Sequence, residues 1–80
     1  METINKAQFR EFVSEYSRIT VGDIYYNDGV IYNKKENGKM SGFSYVGTLE
    51  ERINDTTNYL WRKARKHGSV IINGKEYQVL

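Results

Sequence analysis

Eighty residues with no cysteine, no proline and a net charge of +2 allow one small domain. They exclude a multidomain enzyme, a disulfide framework, thiolate chemistry and cysteine zinc sites. No apolar run approaches the ~18 residues that span a bilayer, and no basic-then-apolar leader follows Met1, so the expected compartment is the cytoplasm. A chain this short buries only roughly 60–65% of its unfolded surface, which leaves a thin margin for folding alone. Seven Tyr, three Phe and one Trp widen that margin, because each buried ring removes a large apolar area from water.

The first expected element is a helix over residues 5–19. Phe9, Phe12, Val13, Tyr16 and Ile19 recur at three- and four-residue steps and make one apolar stripe. Asn5 stands in the N-cap position with Gln8 three residues on, the spacing of a capping box. Arg10, Glu11, Ser14 and Arg18 fall on the other face, and Gly22 ends the element.

Two hairpins sharing a strand follow. Asn27-Asp28-Gly29 lies between Ile24-Tyr25-Tyr26 and Val30-Ile31-Tyr32, and a three-residue loop there pairs Tyr26 with Val30 and Ile24 with Tyr32. Asn37-Gly38 marks the second turn, with Glu36 opposite Lys39, Tyr32 opposite Phe43 and Val30 opposite Tyr45. One face then collects Ile24, Tyr26, Val30, Tyr32, Phe43 and Tyr45. The other collects Tyr25, Ile31, Asn33, Lys35, Met40, Gly42 and Ser44. A two-residue loop at Asp28-Gly29 pairs Tyr25 with Tyr32 instead and mixes these sets, so the first register is the expected one.

Thr48 with Glu51 forms a second capping box, opening a helix with Leu49, Ile53, Thr57, Leu60 and Ala64 inward and Trp61 on the flank. Arg62, Lys63, Arg65, Lys66 and His67 crowd its last turns before Gly68. A final hairpin runs from Val70-Ile71-Ile72 through Asn73-Gly74 to Lys75–Val79. The expectation is an α+β fold: a single two-layer domain over residues 1–80, in the order α-β-β-β-α-β-β, with packed helices on an antiparallel sheet.

Catalytic chemistry finds few footholds. His67 is the sole histidine and reads as a cation at a helix C-terminus. Asp28, Glu36 and Lys39 resemble a metal-dependent nuclease trio in composition, but they fall at hairpin tips where nothing fixes their geometry. No phosphate-binding glycine loop precedes a helix. The expectation is a non-enzymatic protein with no cofactor and no metal.

Binding features are more numerous. Arg62, Arg65 and Lys66 fall opposite Leu49 and Leu60, as a phosphate-contacting strip or as a solvated last turn that complements the helix dipole. Lys34, Lys35 and Lys39 bracket the second turn. The strand face carrying Tyr25, Asn33, Lys35 and Ser44 is exposed if both helices pack on the opposite face, and covered if the first helix packs on it through Phe9, Phe12 and Tyr16.

Gly42-Phe43-Ser44-Tyr45-Val46-Gly47-Thr48-Leu49-Glu50-Glu51, leading from three strands into a helix, resembles the APETALA-type DNA-binding domain. Asp28-Gly29-Val30-Ile31-Tyr32, Gly38-Lys39-Met40-Ser41-Gly42-Phe43 and Ile72-Asn73-Gly74-Lys75-Glu76-Tyr77 are similar to strand motifs of the related modules in phage HNH endonucleases. The resemblance spans residues 24–77 and implies a three-stranded sheet that reads the major groove, with Tyr25, Asn33, Lys35 and Ser44 at the DNA-facing positions. The arginines of that family's sheet and the nuclease histidines have no counterpart here.

Small size and richness in Tyr, Asn and Lys match the style of phage and mobile-element genes. The leading expectation is therefore an inhibitor that binds a host protein or nucleoprotein, such as a bacterial defence complex, through tyrosine-rich surfaces in the cytoplasm of a bacterial host cell, as a monomer or homodimer. The alternative is a small DNA-binding protein that uses the sheet face with Arg62, Arg65 and Lys66. The near-balanced charge and the absence of sheet arginines favour the first.

Overall fold

A computed structural model describes all of residues 1–80. In chain order the elements are β1 (Glu2–Ile4), α1 (Lys6–Ser14), β2 (Ile19–Val21), β3 (Ile24–Asn27), β4 (Val30–Lys34), β5 (Met40–Phe43), α2 (Leu49–His67), β6 (Ser69–Ile72) and β7 (Lys75–Val79). All seven strands join one sheet in the order β1-β7-β6-β2-β3-β4-β5. Only the β1–β7 pairing is parallel. The two-layer α+β expectation holds at that level. The sheet is mixed rather than purely antiparallel, it is larger than a three-stranded DNA-reading sheet, and β1 and β2 are additions to the expected order.

Both capping boxes form. Asn5 Oδ1 accepts from Gln8 N–H at 2.8 Å, and Thr48 Oγ1 accepts from Glu51 N–H at 3.2 Å. Thr48's own N–H donates to Glu51 Oε1, and that bond first, with the Thr48 hydroxyl second, holds the Glu51 carboxyl below the usual carboxylate range. The first helix is shorter than its apolar period suggests. Tyr16 enters the left-handed region at φ 57°, and Ser17 N–H bonds back to Phe12 O at 3.1 Å, a Schellman closure. Ile19 therefore leaves the helix and starts β2, paired with Tyr26 on one side and Ile72 on the other.

The two central hairpins depart from the expected register in opposite senses. Asp28 (φ 50°) and Gly29 (φ 85°) make a two-residue turn, so Tyr25 faces Tyr32 and Tyr26 faces Ile31. At the second turn Lys35 N–H donates to Lys39 O at 2.7 Å across the three-residue loop Glu36-Asn37-Gly38. Gly38 takes φ 83°, and Asn37 Oδ1 accepts from Lys39 N–H. The two one-residue shifts cancel for β5. Phe43 stays on the expected face, and only β4 turns over.

Both helices lie on one side of the sheet. The core comprises Ile4, Phe9 and Val13 from the first segment, Ile19, Val21, Tyr26 and Ile31 from the central strands, and Leu60, Trp61, Ala64, Val70 and Ile72 from the last part. Trp61 meets Phe9 with ring centroids 5.3 Å apart, which joins the helices. Leu49, expected inward, is about half exposed and lines an open cavity beside the Asp28-Gly29 turn. No helix is long and apolar enough to cross a membrane.

Candidate functional site

With both helices on one side, the opposite sheet face is bare. Strand pairing lines up a row across it: Glu76, Ile71, Thr20, Tyr25, Tyr32 and Gly42 on six successive strands. The rings of Tyr25 and Tyr32 lie 6.1 Å apart at their centroids. Tyr32 reaches over Gly42, where a Cβ would come within 3.0 Å of its Cε1. Val30 and Met40 share this face. The charges among its strand residues are Lys34 and Glu76, at opposite sides of the sheet. The middle is aromatic and aliphatic, with hydroxyls at its edge.

The expected sheet site does not assemble as one surface. Tyr25 is on the bare face. Asn33 pairs with Ile24 and Ser41 and turns to the helix side with Ile31. Lys35 follows Asn33 by the alternation of β4, so it too projects to the helix side, directly opposite Lys39. Ser44 lies past β5 and lines an open cavity of ≈ 380 Å³ between Tyr16, the Asp28-Gly29 turn and the first turns of α2. Tyr32, Val30 and Ile71 belong to the bare face instead. The first two were misplaced by the β4 register, and the third sits in the last hairpin, whose sheet position is set by a long-range pairing.

The basic helix end also divides. Tyr59 packs edge-on against Phe43 and Tyr45, with centroids 5.4 and 6.4 Å away, so this flank of α2 faces the β4–β5 hairpin. Arg62 Cζ and Lys63 Nζ stand over the Tyr59 ring at 5.7 and 5.5 Å from its centroid. Lys66, seven residues after Tyr59, continues that stripe. Arg65 is on the other flank, the side on which Asn54 accepts a hydrogen bond from Arg10 of α1. Arg62 and Lys66 thus share a side that Arg65 does not, and Lys63 joins them. The signal for Lys63 was its four-residue spacing from Tyr59.

No three His, Asp or Glu side chains converge in a way that could hold a metal ion. The single ion pair, Lys75 with Glu2 at 2.6 Å, is solvent-exposed and lies between β1 and β7. No family model, no curated protein and no solved structure matches this chain.

Proposed function

We propose that the protein is a non-enzymatic binding module of the phage or mobile-element type that grips a host protein or nucleoprotein through its bare sheet face. It then acts as an inhibitor in the bacterial cytoplasm. The observation that carries this reading is the transverse row Ile71–Thr20–Tyr25–Tyr32, an aromatic-centred surface flanked by Val30 and Met40. Tyrosines offer large rigid contact area with a polar tip, the composition of protein interface centres. A nucleic-acid partner would call for cations among these residues, and the middle of the face has none. A module that covers its target's surface and brings no reaction centre acts by occupancy, which makes inhibition the natural outcome.

Pull-down from a lysate of a bacterial host, comparing the wild type with a Tyr25→Ala/Tyr32→Ala double variant, tests this. Both rings stand on the uncovered side, so the variant keeps its core and its unfolding transition. Expected is a stoichiometric protein partner held by the wild type and lost by the double variant, with a Lys63→Glu variant retaining it. Absence of a partner, or equal capture by the double variant, overturns the proposal.

A further inference from the structure

The helix side of the β4–β5 hairpin presents a second surface of different chemistry. Against the sheet, helix α2 packs most closely on β2 and β6, and toward β5 it meets the hairpin through Tyr59 against Phe43. From Phe43 outward, the hairpin offers the pair Asn33–Ser41 and then Lys35–Lys39. The facing flank of α2 offers Tyr59, Arg62, Lys63 and Lys66. Both sets run toward the same end of the sheet. Helix α2 finishes beside the β2–β3 turn, where a Cβ on Gly22 would lie 3.4 Å from His67 Nδ1. That turn and the hairpin tip lie at one end, since Ile24 pairs with Asn33.

The hairpin and this flank of α2 together present five cations, Lys35, Lys39, Arg62, Lys63 and Lys66, beside the aromatic cluster of Phe43, Tyr45 and Tyr59. None of the five makes an ion pair. Like charges directly opposite across a strand pair, as at Lys35 and Lys39, oppose folding. Glu36 at the tip and Asp23 in the β2–β3 turn are the carboxylates nearest this end. The cations are complementary to a chain of phosphates, and the aromatic cluster beside them is complementary to a base.

We propose that this surface binds single-stranded nucleic acid, with Lys35, Lys39, Lys63 and Lys66 on phosphates and Phe43, the most exposed ring of the cluster, stacking on a base. Stacking on Phe43 needs a base whose face is free, which a single strand offers and the interior of a duplex does not. This site is separate from the bare face and does not depend on it.

Fluorescence anisotropy with a labelled oligothymidylate and a duplex of equal length, from low to physiological salt, tests it. Expected is preference for the single strand and a log K against log salt slope of about −2 to −3, from the ~0.7 counterions released per phosphate. Lys63→Glu and Lys35→Glu/Lys39→Glu each weaken binding at least tenfold, while Arg65→Glu, an equal charge change on the other flank, changes it less than about threefold. Phe43→Ala reduces affinity about fivefold or more. A second Phe43 variant, Phe43→Tyr, retains affinity and separates stacking from folding. No binding at low salt, preference for the duplex, or an Arg65→Glu loss equal to that of Lys63→Glu overturns the proposal.

Discussion

Two buried hydroxyls show how much rides on one partner atom. Tyr26 is fully enclosed, and its Oη donates to Val13 O at 3.0 Å, tying β3 to the closing turn of α1. Burial first, then the neighbouring Tyr16, pushes its pKa up to about 12 from 10.0. The unfolded chain releases that proton near 10.0 and the folded chain holds it to about 12, so its contribution is complete below 10.0 and is lost as pH climbs toward 12. Tyr26→Phe should cost about 0.5–1.5 kcal/mol at neutral pH. It should also flatten the decline in urea midpoint between pH 10 and 12. A variant that declines as steeply as the wild type would dispose of this account. Thr57 is the opposite case: its Oγ1 is buried with no partner. Thr57→Val keeps the shape and removes the orphan, so the urea midpoint should rise, by about 1 kcal/mol of stability.

At the scale of elements, the turns decide which side chains meet. The helix caps, the second helix and the last hairpin were legible because each signal is local: Asn5 with Gln8, Thr48 with Glu51, Asn73 with Gly74. Loop length was not, because Asp28-Gly29 and Asn37-Gly38 are nearly the same signal. Their difference lies in one backbone angle. Asp28 takes positive φ and begins a two-residue turn, whereas Asn37 keeps negative φ and caps Lys39 with its side chain. That one difference turned β4 over and took Asn33 and Lys35 from the expected surface, while Ser44 was lost because β5 ends at Phe43. Strands β1 and β2 were hidden for another reason. Three residues carry no period; the partner of β1 is more than seventy positions away, and β2, though it hairpins onto β3, also needs the distant β6 on its other side. Both glycines are left-handed, so an added Cβ strains either turn by about 1–2 kcal/mol. Only at Gly29 does it also meet a neighbour, Tyr16 Cε1 at 3.3 Å, so Gly29→Ala should lower the urea midpoint more than Gly38→Ala. Equal losses would show that the Tyr16 contact is slack.

For the molecule as a whole, the parallel β1–β7 pairing matters most. It brings residues 2–4 beside residues 77–79, and Leu80 N–H adds a bond to Ile4 O at 3.2 Å. Three residues would ordinarily fray, and the Glu2–Lys75 pair that marks their edge is too exposed to hold them. What anchors them is Ile4, only 1% exposed and part of the same core as Phe9, Val13 and Val70. One cluster thus spans the whole chain, and unfolding should be a single transition in which far-UV signal from α2 and near-UV signal from Trp61 fall together. Ile4→Ala should remove about 2–5 kcal/mol from that common transition. A domain of this size has on the order of 5 kcal/mol or a little more to lose, so the midpoint should drop steeply for both probes. Glu2→Gln should stay within about 0.5 kcal/mol of the wild type. If Ile4→Ala instead left both probes unchanged, the first strand would be an appendage, and the sheet would close its core on six strands.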